Sequence, residues 1–281
     1  MKYCIPILFP CYDVIVSITL LLKLMLIIMT PAKRLNDVSY TEISSYLPDG
    51  GSTQPMFLKQ AFELVKAIRK LGVTDLAKVM SVSPKIAELN YERFIDWELD
   101  HNQQNSVPAV LLYAGDVYQK LSPKEYSEKQ RQHLQSSVRI VSGLYGLLRA
   151  YDLMQPYRLE MSTNLTASKY AGLQDYWKQD ITKEVKKLAE ESGLLVNLLS
   201  NEYEQAVDFE QIKTPKLKVI FKQMHKGRLK TIGLLAKKAR GMFVDFVVKN
   251  SLTDQEDLKG FNTEGYKLQE EGKGYLVFAL K

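Results

Sequence analysis

Cysteine is nearly missing from this chain. Of its 281 residues only Cys4 and Cys11 are cysteines, both in an apolar N-terminal stretch, and none follows Leu26. A cysteine nucleophile, a Cys-built zinc site, an iron–sulfur cluster and a disulfide framework are therefore excluded from the body of the chain. Histidine is almost as scarce: His101, His133 and His225 are the only ones, with no His-x-x-x-His pair. That argues against zincin-type hydrolysis and most His-built metal centres. Internal repeats, low-complexity tracts and Pro/Gly/Ser-rich linkers are absent too. No metal and no cofactor is expected.

What remains is an ordinary globular composition, 46% hydrophobic and 25% charged, enough to bury a sizeable core. Lys and Arg number 38 against 32 Asp and Glu, a net charge of +6 that is small if spread evenly. It is not spread evenly. Between Gln211 and Arg240 lie Lys213, Lys216, Lys218, Lys222, Lys226, Arg228, Lys230, Lys237, Lys238 and Arg240, with no acidic residue among them. Such a run makes an electropositive ridge that tracks phosphates, or a solvated strand edge where lysine blocks edge-to-edge pairing. An expected helix over 237–249 would set Lys237, Lys238 and Arg240 at its N-terminus. Cations there oppose the macrodipole unless an anion is near, a weak pointer to function.

The N-terminal segment admits three readings. Val14 to Met29 is nearly all apolar, but shorter than the ~20 residues of a membrane span and interrupted by Lys23. Lys2 and the apolar stretch also suit a signal peptide, although no small-residue cleavage site follows. The preferred reading starts the domain at Met25, with Leu26–Met29 a buried strand ended by Pro31. Residues 1–24 are then an upstream-start extension, a dispensable tail or a membrane-associating segment, and residues 25–281 a single domain.

Along the body, Phe57, Leu58, Ala61, Phe62, Val65, Ile68 and Leu71 recur at helical spacing, and Gly72 closes that helix. Thr74 and Ser83 are expected to cap two short helices. Ala109–Tyr113 and Leu194–Leu199 read as strands, and 127–140 and 173–192 as helices. Lys216–Gln223 and Leu229–Leu235 flank a hairpin signal. Two short strands near Tyr266 and Tyr275 end the chain. Helices and strands interleave without the regular beat of a doubly wound sheet. The expected fold is one compact mixed α/β (α+β) domain.

Residues 136–161 read SSVRIVSGLYGLLRAYDLMQPYRLEM. Gly143 and Gly146 bracket Leu-Tyr: they either point backbone N–H groups at a phosphate or merely allow a tight turn in the core. After Pro156 the alternation Tyr157–Met161 predicts a strand with Arg158 and Glu160 on one face. Asp116, Glu160 and Glu202 lie in blocks that also carry cations. They could serve metal-assisted or glycosylase-like chemistry on DNA, or form buried ion pairs that orient a basic face. No recognisable catalytic spacing supports an enzyme. Asp96, Glu98, Asp100 and His101 alternate with Trp97 and Leu99, which favours a half-buried segment with a wet face over a metal site. Gly260-x4-Gly265 fails as a phosphate loop because Tyr266 holds the lysine position.

Several separated blocks together resemble the YaaA peroxide-stress proteins. They are Thr-Pro-Ala-Lys-Arg-Leu at 30–35, Gly-Asp-Val-Tyr at 115–118, Ser-Gly-Leu-Tyr-Gly-Leu-Leu-Arg at 142–149 and Asp-Leu-Met-Gln-Pro-Tyr-Arg-Leu-Glu-Met at 152–161. Asn-Leu-Leu-Ser-Asn-Glu-Tyr at 197–203, Ala-Lys-Lys-Ala-Arg-Gly at 236–241 and Gly-Phe-Asn-Thr-Glu-Gly-Tyr at 260–266 complete the series. Thr30 stands where the family usually has Ser, and Ala150 where Pro often follows the Arg. The resemblance implies a single mixed α/β domain of family-specific topology, with a positively charged cleft and a helix-hairpin-helix element. It further implies binding of duplex or branched DNA without marked sequence preference, in the cytoplasm. The implied role is hydrogen-peroxide resistance, linked to lower free iron and DNA repair. Carried onto this chain, the hairpin falls on Ser142, Gly143 and Gly146, and the cleft cations on Lys33, Arg149, Arg158, Lys237, Lys238 and Arg240. DNA is the expected partner, and no stable membrane partner is expected.

Overall fold

The run Leu-Ile-Ile-Met at 26–29 is continuously apolar rather than alternating, the pattern of a strand covered on both faces. In the computed structural model, which describes residues 25–165 and 172–280, it forms β1 (Leu26–Met29), buried at every position. A short helix α1 (Tyr40–Ile43) leads to α2 (Leu58–Ile68), α3 (Val73–Met80) and α4 (Pro84–Asp96). Then come β2 (Val107–Pro108), α5 (Ala109–Leu112), α6 (Glu128–Ser137), β3 (Val138–Ser142), β4 (Gly146–Arg149) and β5 (Leu153–Met154). Helix α7 (Leu173–Ser192), β6 (Leu195–Leu198) and α8 (Asn201–Glu204) follow. The chain closes with β7 (Lys216–His225), β8 (Arg228–Lys230), α9 (Gly233–Lys249), β9 (Lys267–Gly272) and β10 (Tyr275–Leu280).

The main sheet runs β4-β3-β1-β6-β7-β10-β9, with β8 paired to β7 and a separate β2-β5 pair. Neighbours β3, β1, β6, β7 and β10 are parallel. Strands β4, β8 and β9 add antiparallel edges. Ile27 sits opposite Val138 on one side and Val196 on the other. Helix α7 packs on β1 and β4, while α9 lies on β7 and touches α6. The fold is mixed α/β, as the composition and element order imply. It departs from the expected lack of a doubly wound beat, because five parallel strands joined by helical crossovers form its centre. The beat is hidden by unequal crossovers: all of α1 to α6 separate β1 from β3.

Other departures are local. Ala109–Leu112 is a buried helical turn rather than a strand, since a short apolar run looks the same in either state. Ser127 caps α6 through a reciprocal box with Gln130, but the helix ends at Ser137 and 138–140 belong to β3. Gly72, not Thr74, caps α3, whereas Ser83 with Pro84 starts α4 as expected. Tyr157–Met161 lies outside any strand. The β7–β8 hairpin turns at Lys226 and Gly227, both at positive φ (48° and 74°), as the tightest hairpin turns demand. Helix α9 begins at Gly233, one turn before the expected start, so Lys237 and Lys238 lie past its first turn. These cations therefore stand clear of the positive end of the helix dipole. The expectations for residues 1–24 lie outside the described residues. Among those described, no helix is long and apolar enough to cross a membrane.

The acidic segment around His101 is a structural joint. Tyr145 Oη accepts from Trp97 Nε1 at 2.8 Å and from the Gln155 backbone N–H at 3.0 Å. The same oxygen lies 2.9 Å from His101 Nε2, and His101 Nδ1 lies 3.2 Å from Gln155 Nε2. Burial holds His101 down to about 4 from the usual 6.5, although the Leu99 carbonyl and Asp100 oppose it. Between those two values the unfolded chain takes up a proton that the folded chain refuses. Stability therefore falls as pH drops through this window. The loss is on the order of 3 kcal/mol at 1.36 kcal/mol per pKa unit. Urea denaturation at pH 7 and pH 4.5 should show that His101→Gln loses much less stability on acidification than the parent.

Candidate functional site at the carboxyl edge of the sheet

From β1 the chain crosses to β3 on one side, and from β6 it crosses to β7 on the other. The loops leaving these adjacent strands part company, and open parallel sheets bind their ligands in the crevice left at such a point. Here the crevice has a volume of about 360 Å³. One wall is the turn after β1, which carries Lys33 and Arg34. The loop at 115–117 supplies Asp116, the segment after β6 supplies Glu202 and Tyr203, and Arg158, Lys237 and Arg240 complete the lining. A larger open groove of about 940 Å³, lined by residues 35–41 and 103–107, holds none of the residues singled out from sequence.

Close backbone approach assembles the walls. A Cβ on Gly143 would lie 2.3 Å from the Leu159 carbonyl oxygen, so only glycine lets the 157–161 segment dock on the β3–β4 turn. A Cβ on Gly241 would lie 2.0 Å from the Val117 carbonyl oxygen, so α9 reaches the 115–117 loop only because that residue has no side chain. A hydroxyl chain supports the floor: Ser142 Oγ to Tyr157 Oη at 2.6 Å, then Tyr113 Oη at 2.7 Å. Burial pushes the Tyr157 phenol up to about 12, against the hydrogen bonds from Ser142 and Tyr113. Tyr118 Oη donates to the Thr30 carbonyl at 3.0 Å and ties the end of β1 to the opposite wall.

The charges are unevenly compensated. Glu160 binds both Lys33 and Arg158, the latter at 2.8 Å. Burial alone would raise its carboxyl, but the two cations hold it below the ordinary value. Glu202 Oε1 accepts from the Ser162 backbone N–H at 3.1 Å and hydroxyl at 3.0 Å. Arg240 is different. Its side chain is partly buried, burial draws its pKa below the usual value, and its buried Nε has no hydrogen-bond partner among the described residues. Glu204, which favours its charge, is already engaged by Lys218 and Asn197, each at 2.7 Å.

Of the cations expected in a cleft, Lys33, Arg158, Lys237 and Arg240 do meet in the crevice, with Asp116 and Glu202 beside them and Glu160 bridging two of them. Lys238 is half-exposed and outside the lining. Arg149 belongs elsewhere. It pairs with Arg139 near the amino end of β3, while β3 runs parallel to β1, so it sits at the opposite edge of the sheet. There it holds Asp152 at 3.0 Å and the Gln54 carbonyl at 3.0 Å.

The expected helix-hairpin-helix reading of Ser142, Gly143 and Gly146 is corrected, because strands β3 and β4 flank the turn. All three residues are buried. The Leu144 and Tyr145 N–H groups are bound to Ser142 Oγ, and the Gly143 carbonyl accepts from Trp177 Nε1. Buried and engaged in this way, these groups are not presented to a phosphate. The turn is a packing device, the plainer of the two readings that its spacing allowed.

Arg34 and Tyr203 also line the crevice, although sequence reasoning did not single them out. Arg34 was visible as the second cation of the Lys-Arg pair after Pro31. The β7–β8 hairpin leaves the sheet at the same edge as the crevice, since β7 is parallel to β6. Lys226, Arg228 and Lys230 on it are exposed and form no ion pair among the described residues.

A family model described as peroxide stress protein YaaA matches residues 25–272. The chain belongs to the YaaA family. A UPF0246 protein of Aliivibrio fischeri (strain MJ11) is 41% identical over 248 residues, 88% of this chain and 93% of that relative. One from Flavobacterium johnsoniae is 41% identical over 256 residues, 90% and 99% of the two chains. A third, from Flavobacterium psychrophilum, is 37% identical over 242 residues, covering 86% and 94%. This YaaA-family crevice depends on the α9 contact. Gly241→Ala should cost about 1–3 kcal/mol by overpacking, and thermal denaturation measures it.

Proposed function

We propose that this YaaA-family chain is a cytoplasmic DNA-binding protein of the peroxide response, contacting duplex or branched DNA with little sequence preference and so limiting iron-dependent damage. The observation that carries the reading is the gathering of cations without ion pairs at one edge of the sheet. Lys237 and Arg240 lie in the crevice, and Lys226, Arg228 and Lys230 on the hairpin that leaves the same edge. Lysine and arginine used this way meet phosphate oxygens, which position a protein on DNA without reading its bases. The family description as a peroxide stress protein supplies the physiological setting.

A second reading, a DNA-processing enzyme, draws support from Asp116 and Glu202 lying among those cations. Incubating end-labelled DNA with the protein, with and without Mg²⁺, tests it: strand scission or alkali-labile abasic sites are its required products.

For the binding reading, log-affinity for duplex should fall linearly with log[salt], with a slope of ~0.9 per neutralised phosphate. The double variant Lys226→Glu/Arg228→Glu should weaken every duplex sequence alike and reduce that slope by about two. Binding indifferent to salt, or a loss confined to one sequence, would exclude the phosphate-tracking mechanism.

A further inference from the structure

A passing phosphate backbone needs a surface, whereas this crevice is a recess lined by both unpaired cations and an unpaired carboxylate. Arg240 lines it, a partly buried guanidinium whose buried Nε has no hydrogen-bond partner and which forms no ion pair among the described residues. A buried, uncompensated cation is costly, and a buried unpaired donor calls for a partner. Lys237, likewise without an ion pair among the described residues, lines the same space. Asp116 and Tyr203 line it too, and the Asp116 carboxylate has no hydrogen-bond or ion-pair partner among the described residues. The volume of about 360 Å³ greatly exceeds that of an inorganic anion and falls at the small end of ligand sites.

We infer that the crevice seats a single nucleotide unit, its phosphate on Arg240 and Lys237 and its sugar or base donors on Asp116. The unit is either a free nucleoside monophosphate or one nucleotide extruded from a DNA strand; only the second source rests on the DNA-binding reading. Extrusion is how proteins bring a base to a pocket that a stacked helix cannot enter. Lys33 and Arg158, already bound to Glu160, line the same crevice.

The test titrates the full chain by calorimetry with dAMP, dTMP, deoxyadenosine and inorganic phosphate in separate arms. In parallel it follows the fluorescence of a duplex carrying 2-aminopurine. One mononucleotide should bind per chain, in competition with phosphate and more tightly than either phosphate or the nucleoside alone. Lys237→Gln and Arg240→Met should each weaken it by about tenfold or more, the worth of a charge-assisted hydrogen bond. Arg240→Met also removes a buried unpaired charge, so its melting temperature should hold or rise; a purely structural arginine would give a fall. If that variant does not fold, Lys237→Gln, at an exposed position, carries the test.

A fluorescence rise on the 2-aminopurine duplex that Lys237→Gln abolishes assigns the extruded source. Mononucleotide binding with a silent duplex assigns the free one, and it stands even if duplex DNA does not bind. Phosphate binding as tightly as dAMP and dTMP overturns the inference in favour of a bare anion site. So does the absence of both mononucleotide binding and a fluorescence rise, and duplex binding that persists then leaves the DNA reading intact.

Discussion

Everything in this molecule hangs on the insertion of one short apolar strand between two others. β1 hydrogen-bonds to β3 on one side and β6 on the other, and all four of its residues are buried. Burial on both faces is possible only because helices cover them, and parallel pairing requires those helices as crossovers. The same insertion sets the direction of every strand leaving the centre of the sheet. Two of those exits diverge, and the gap between them is the crevice.

The crevice holds charge in two states. Lys33, Glu160 and Arg158 form a closed group in which one carboxylate satisfies two cations, an arrangement that fixes geometry more than it attracts ligand. Arg240 and Lys237 have no such counterpart among the described residues. Electrostatic attraction in a low-dielectric recess comes from the uncompensated part, so a plain count of basic residues overstates the site. Arg149 makes the point: it belongs to a motif block, yet it serves Asp152 and the Gln54 carbonyl at the far edge.

Much of this could be read from residues alone, and the failures share a cause. Continuous apolar runs flanked by turn residues located β1 and β6, and periodicity located α2 and α7, because those signals are local. The Ala109–Leu112 run misled because burial, not conformation, dictates its composition. Ser142–Gly146 misled because glycines permit close packing and phosphate approach equally well, and the choice rests on Leu159 and Trp177, distant in sequence. Meeting of Lys33, Asp116, Arg158, Glu202 and Arg240 is a property of strand order. Sequence blocks could nominate these residues, but only topology shows that Lys238 and Arg149 do not join them.

Among the described strands β1 is synthesised first, yet Leu26 waits for Leu195 before its second ladder can form. A sheet whose central pairings span so much chain has high contact order and closes late and slowly. On the ribosome, a fully hydrophobic tetrapeptide must therefore stay unpaired on one side until most of the polypeptide has emerged. Early folding would then fall to the α2–α4 helices, and the interval before β6 arrives is when a nascent chain of this topology has greatest need of a chaperone.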